Sequence, residues 1–257
     1  ETFPDEEQQF QSYREIVESL HPHPVTIRTL DLGGDKNPHR SLTGYAEANP
    51  FMGFRGIRFC LENPPIFKEQ LRAILRAASS GTARLMYPMI SGVREVLEAN
   101  EILEEAKAEL RERGEAFAEN IEVGSMIEIP SAAYTADVIS EHCSFLSIGT
   151  NDLIQYLLAV DRGNDSVAHL YDPSHPAVLR TIRSVIELAH ENDTPVAICG
   201  EMASDPVYVP LLVGMGADEL SLSPSLIPEA KFMIRHISME SARGLADEIL
   251  AMKRPRM

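Results

Sequence analysis

Short apolar runs alternate along the chain with longer stretches whose apolar residues recur at helical spacing. The segments "VTIRTL", "ARLMYPM", "VGSMIE", "FLSIG", "VAICG" and "ELSLS" read as strands. Between them, helical patterns run over residues 64–78, 92–113, 131–141, 151–159, 175–192, 206–213 and 225–235. The long second helix places Val93, Val96, Leu97, Leu103, Ala106 and Leu110 near one face. Asn63 before Pro64, Asp205 before Pro206 and Ser223 before Pro224 mark helix starts. Strands alternating with helices imply parallel pairing through right-handed crossovers. The pattern is that of an α/β fold whose six clear strands are two short of a (β/α)8 barrel, the remaining strands being either short or upstream of residue 1. No repeat, low-complexity segment or linker divides the chain, so residues 1–257 are expected to form a single domain.

A chain of 257 residues, 44 % of them hydrophobic, has enough apolar side chains for a large core. Its net charge of -16 argues against nucleic acid or an anionic membrane as partner, since both attract basic surfaces. Much of the acidity lies in "EVLEANEILEEAKAELRERGEAFAEN", which reads as a solvated helix face. There is neither a bilayer-length apolar run nor a signal peptide. Cys60, Cys143 and Cys199 are odd in number and lack metal-type spacing, which fits a reducing cytoplasm. The first residues, "ETFPDEEQQF", lack an initiator Met, so a piece of something longer is expected.

Position within the pattern is what points to chemistry. Parallel α/β folds bind ligands at the carboxyl ends of their strands. Here "VTIRTL" runs into "DLGGDK", "VGSMIE" ends in Glu128, "FLSIG" runs into Thr150, Asn151 and Asp152, and "VAICG" is followed by Glu201. Arg28 sits mid-strand, where a guanidinium is costly unless an anion answers it. That anion is either a ligand or a structural acid such as Asp31. Gly33 and Gly34 either allow close backbone approach to a phosphate, with Lys36 adding a charge, or simply mark a turn. Arg55 or Arg58 in "NPFMGFRGIR" suits a bidentate clamp, or both lie on a helix surface. Glu128 and Asp152 are either two satisfied rim acids or two hard carboxylates of the kind Mg²⁺ or Mn²⁺ takes together with substrate oxygens. Asn151 offers an amide donor and Arg162 a further positive charge. Cys199 is either a small buried hydrophobe or a functional thiol at a strand end. Cys60 and Cys143 read as structural, and no catalytic role falls to His21, His23, His169 or His175. The rim as a whole suits a divalent cation and arginines around a small, strongly anionic molecule.

The ordered set "TIRTLDLGGDK", "NPFMGFRGIR", "LMYPMI", "GTNDLIQYLLAVDRGND" and "CGEMA" resembles enzyme I of the phosphoenolpyruvate (PEP)-dependent phosphotransferase system, a PEP-utilising enzyme. The likeness covers essentially the whole chain, as that protein's C-terminal PEP-binding and dimerisation domain. It implies a (β/α)8 TIM-type barrel and a transferase that passes the phosphoryl group of PEP to a histidine and then to a phosphocarrier protein, releasing pyruvate. It also implies that Arg28 and Arg55 bind the substrate phosphate, that Glu128 and Asp152 ligate Mg²⁺, with Mn²⁺ possible, and that Asn151, Asp152 and Arg162 contact PEP. Cys199 resembles the general acid that protonates the enolate carbon. A homodimer in the cytoplasm, serving sugar transport or nitrogen regulation, completes what the resemblance implies.

The family's acceptor histidine lies in a separate N-terminal domain, in a Gly-Thr-Ser-His type motif that this sequence lacks. The family's first barrel strand, with another phosphate-binding arginine, is also expected upstream of residue 1. Three alternatives stand beside the phosphotransferase: a metal-dependent pyruvate-type aldolase or lyase, which needs neither Cys199 nor Arg162; a fragment of pyruvate phosphate dikinase or PEP synthase; and a non-catalytic dimerisation module.

Overall fold

The computed structural model describes residues 3–31 and 49–252. The reading of Gly33, Gly34 and Lys36 therefore lies outside the described residues. Those residues gather into two compact units, Glu1–Ser125 and Met126–Met257.

All six predicted strands are present: β1 (Val25–Arg28), β2 (Ala83–Tyr87), β3 (Glu122–Ile127), β4 (Phe145–Gly149), β5 (Val196–Cys199) and β6 (Glu219–Ser221). In the first unit β1 pairs in parallel with β2, Val25 opposite Ala83, and β2 with β3, Arg84 opposite Glu122. In the second unit β4 pairs in parallel with β5, Leu146 opposite Val196, and β5 with β6, Ala197 opposite Glu219. Every residue of β4 is buried, as expected of a parallel strand covered on both faces. The α/β class and the parallel pairing agree with the sequence pattern, and six strands are seen among the described residues.

The helix Val93–Arg113 buries Val96, Ala99, Leu103, Ala106 and Leu110, a stripe at near-helical spacing. Leu97 was expected on that face but is 41 % exposed, because one residue beyond Val96 turns it about 100° round the helix. The helix predicted over 131–141 is two short ones, Pro130–Tyr134 and Ala136–Ser140. They break at Thr135, whose hydroxyl donates to the Ser131 carbonyl. The helix expected from residue 206 begins at Val209, because Asp205 Oδ1 accepts from the Val207 N–H and closes a turn first.

The helix Glu6–Leu20 was not anticipated. Its signal was a capping box, in which Asp5 and Gln8 exchange side-chain and backbone bonds. The helix Met239–Ala251 was also missed. It packs against Val209–Met215 at Gly214, where any side chain would overlap the Ala242 carbonyl. Among the described residues no helix is long and apolar enough to cross a membrane.

The acidic stretch is not only a solvated face. Glu109 pairs with Lys68 and Arg72 and so joins the helices Pro64–Ala77 and Val93–Arg113, and Glu115, just past the second helix, pairs with Arg76. At the same place Glu6 accepts from Arg72, Arg76 and Arg113. Burial alone would raise the Glu6 carboxyl, but the bonds from Arg72 and Arg113 outweigh it and hold the group below 4.5. A carboxyl lowered on folding contributes stability that is present above its unfolded value and lost as pH falls through the folded one. Glu6→Gln is expected to cost roughly 2–3 kcal/mol at neutral pH. Thermal melts between pH 7 and pH 3 should show the wild-type advantage shrinking below about pH 4.5; a constant gap across that range would contradict the assignment.

Candidate functional site

The helix Thr150–Leu158 starts directly on the last residue of β4, without an intervening loop. Thr150, Asn151 and Asp152 thus occupy the first helical turn, whose N–H groups have no partner within the helix and favour negative charge. Two side-chain bonds fasten this turn to the end of β5. Thr150 Oγ1 donates to the Cys199 carbonyl at 2.7 Å, and Asn151 Oδ1 accepts from the Glu201 N–H at 3.0 Å. Gly200 makes the junction possible. Its φ is +100°, and a Cβ there would strike Thr150 Oγ1 and lie 2.8 Å from Asn151 Oδ1.

Gly149 serves differently, since its φ of -83° suits any residue. A Cβ there would lie 2.7 Å from Glu128 Oε2 and 3.0 Å from Glu128 Cβ. The missing side chain leaves room for the Glu128 carboxylate, which is 1 % exposed just past the end of β3. Glu128 is thereby held against the strand residue that leads into Asp152.

Ala159 takes the left-handed conformation and ends the helix, turning the chain back on itself. The Arg162 N–H donates to buried Gln155 Oε1 at 3.1 Å. The guanidinium then returns to the first turn, with Nη2 3.4 Å from Asp152 Oδ1. Arg162 Nη1 is buried and has no hydrogen-bond partner among the described residues. A buried guanidinium nitrogen without an acceptor is costly, and an anionic ligand would satisfy it. Tyr171 follows the same loop and its hydroxyl donates to the Asn151 carbonyl at 3.3 Å. Burial pushes this phenol up to about 12 against the pull of Arg162, so it stays a donor at neutral pH.

Cys199 ends β5 and lies with Asn151, Gly200 and Glu201 on an open cleft of about 610 Å³. Ser221, the last residue of β6, and Ser223 beyond it also line the cleft. The second unit therefore brings together Asn151 with Cys199, Asp152 with Arg162, and Glu128 with the strand end that carries Asp152. Tyr171 and Gln155 were not found from sequence. Gln155 lies on the helix Thr150–Leu158 and meets the chain returning after Ala159, from which Tyr171 also reaches the site, and no local motif marks either.

The first unit holds the other predicted arginines in one cluster. Arg55 is 6 % exposed and grips Asp31 with two bonds, Nε to Oδ1 at 3.1 Å and Nη2 to Oδ2 at 2.8 Å. The bidentate clamp anticipated for Arg55 or Arg58 thus exists at Arg55, closed on a carboxylate of the chain itself. Arg58 instead donates to the Met52 and Gly53 carbonyls. Arg28 lies 3.3 Å from the same Asp31, as the structural alternative foresaw. It ends β1 instead of sitting mid-strand, and its side chain is 43 % exposed. Gly56, at φ +58°, lets the backbone pass Met89 Cβ, 2.7 Å from where its own Cβ would stand. Buried Cys60 donates to the Leu30 carbonyl at 3.7 Å. Burial, seconded by Asp31, pushes its thiol up to about 12, and burial does the same for Cys143.

No cage of three or more His, Cys, Asp or Glu side chains occurs among the described residues. The donor chemistry present is two hard carboxylates, Glu128 and Asp152. That set does not suit zinc but fits Mg²⁺, which usually binds one or two carboxylates and keeps waters and substrate oxygens.

The family model described as "PEP-utilising enzyme, PEP-binding domain" matches residues 1–239. A phosphoenolpyruvate-protein phosphotransferase from Priestia megaterium is 48 % identical over 253 residues, 98 % of this chain and 44 % of that protein. Its counterpart from Bacillus subtilis is 47 % identical, covering 97 % of this chain and 44 % of the relative. The one from Haemophilus influenzae is 46 % identical, covering 97 % and 43 %. The chain thus spans less than half the length of these relatives. Among solved structures, a citrate lyase from Burkholderia xenovorans superposes with a TM-score of 0.51 at 22 % identity, over 72 % of this chain and 58 % of that one. That likeness speaks for the fold alone. A matched model over most of the sequence and relatives near half identity lead to one conclusion: the chain belongs to the PEP-utilising enzymes, as their PEP-binding domain.

Proposed function

We propose that this chain binds PEP with Mg²⁺ and supports transfer of its phosphoryl group to a histidine on a separate N-terminal domain. From there the group passes to a histidine-containing phosphocarrier protein, and pyruvate is released. The observation that carries this reading is the buried Arg162 Nη1 without an acceptor beside Asp152, on the turn that also presents Asn151.

In this reading Arg28 and Arg55 act on the substrate phosphate, roles carried over by motif. The exposed Arg28 is the one able to reach a ligand directly, while Arg55 holds Asp31 in place. Asn151 and Arg162 orient the anionic substrate. Mg²⁺ held by Glu128 and Asp152 would neutralise developing charge on the substrate oxygens. Phosphoryl transfer proceeds through a loose transition state, so positioning and charge neutralisation are what the protein must supply. Cys199 gives the proton from its Sγ to the methylene carbon of the enolate left behind.

The domain is proposed to work as one PEP-binding unit over residues 1–257, completed to an eight-stranded barrel and paired as a homodimer in the cytoplasm. Mn²⁺ would satisfy the same carboxylates. The aldolase or lyase alternative has the weaker support. Relatives near half identity carry the phosphotransferase name, whereas the citrate lyase likeness is one of fold.

Calorimetric titration of PEP into the chain, with and without Mg²⁺, tests the reading. Binding is expected to require Mg²⁺ and to weaken at least roughly tenfold in Arg28→Ala, the loss of a charge-assisted contact. A folded chain that ignores PEP at millimolar concentration would count against it.

A further inference from the structure

Ser147 and Gly149 of β4 share one face of the sheet with Ala197 and Cys199 of β5, since Ser147 pairs with Ala197 and Gly149 with Cys199. Glycine beside Cys199 leaves the flank of the sulfur without a side chain. Alanine beside Ser147 is too small to cover the hydroxyl. The two polar groups meet on the diagonal, where Ser147 Oγ donates to Cys199 Sγ at 3.7 Å. The thiol in turn donates to the Ile148 carbonyl at 3.5 Å. Ser147 is 3 % exposed, so water does not compete for its bond. A hydroxyl buried within a strand is costly unless it is bonded, and an apolar residue would pack there without that cost.

We infer that Ser147 is a positioning residue for Cys199, holding the sulfur through a lone pair while the thiol proton turns from the Ile148 carbonyl toward the substrate carbon. This rests on the proposed role of Cys199 as proton donor. In that step the S–H bond breaks and its electron pair stays on sulfur. The enolate's carbon–carbon π pair forms the new C–H bond, and the enolate oxygen becomes the ketone of pyruvate. The Ser147 hydroxyl then donates to a thiolate, and a charge-assisted bond is stronger than the neutral one it replaces. The contact therefore favours the state after transfer over the state before it.

The rate at which iodoacetamide alkylates Cys199, read by peptide mass spectrometry at pH 8, tests this without turnover. The thiolate is the reacting species, and losing its hydrogen-bond donor in Ser147→Ala is expected to slow alkylation about five- to tenfold. Ser147→Thr keeps the hydroxyl and is expected to stay within about twofold of wild type. Cys60 and Cys143 serve as slow internal references. An unchanged rate in Ser147→Ala, or a rate in Ser147→Thr as slow as in Ser147→Ala, overturns the inference. Calorimetric PEP affinity should be the same in Ser147→Ala as in wild type, and a loss of affinity there would also overturn it. Failure of wild type to bind PEP would sink the functional reading instead, and the alkylation rates would still judge Ser147.

Discussion

Cys199→Ala is expected to lower pyruvate release by about 10²–10⁴-fold, the range typical of a removed general acid. PEP binding should change little. Cys199 ends β5 on the open cleft, and its sulfur faces the Ser147 hydroxyl and the Ile148 carbonyl, so removing it strips no charge from the substrate's surroundings. On the proposed reading, binding rests instead on Asn151, Arg162 and the carboxylates of Glu128 and Asp152. The measurement is pyruvate release with the histidine-bearing domain supplied in trans, beside a calorimetric titration of PEP. An interaction made only in the transition state lowers turnover without raising the dissociation constant. Equal losses in both would place Cys199 in binding and not in proton transfer.

Gly200→Ala is expected to be strongly damaging to the candidate site of the second unit. At φ +100° any side chain is strained, and the added Cβ falls on Thr150 Oγ1 and Asn151 Oδ1. Those two atoms make the bonds to the Cys199 carbonyl and the Glu201 N–H. Relief of the overlap requires one or both bonds to open. Strain and lost bonds together amount to roughly 2–4 kcal/mol, with PEP affinity falling in parallel because Asn151 moves. Gly114→Ala is the control, since that glycine is also left-handed at φ +67° but meets nothing within 4 Å. It should cost only about 1–2 kcal/mol of backbone strain. Denaturant melts of both variants decide the matter: similar losses would mean that backbone conformation alone accounts for Gly200.

The six strands and most long helices were legible because buried residues repeat at two spacings that local geometry imposes. β4 and the helix after it were read nearly to the residue, since a buried, mostly apolar run gives way abruptly to Thr150, Asn151 and Asp152. The helix Glu6–Leu20 escaped because Val17 is its one buried residue and most of its length is polar. The candidate site divides in the same way. Glu128, Asn151, Asp152 and Cys199 could be singled out as candidates because strand ends can be located from sequence, and in parallel folds such ends carry ligand groups.

Partnership was different. Sequence allowed Arg28 a structural acid but did not show Asp31 shared between Arg28 and Arg55, with Arg55 supplying the bidentate grip. It did not show Arg162 returning to Asp152, which depends on the left-handed turn at Ala159, nor Tyr171 reaching Asn151 from the same loop. Ser147 looked like one more strand residue until the register of β4 against β5 set its hydroxyl beside a sulfur 52 positions away. Periodicity is a property of neighbours along the chain, and so the sequence by itself determined the elements, their order and the strand ends where chemistry gathers. Which charges neutralise one another, and which hydroxyl meets the thiol, only the tertiary structure decided. Those contacts are set by strand register and loop closure, where a shift of one residue would turn every side chain to the other face.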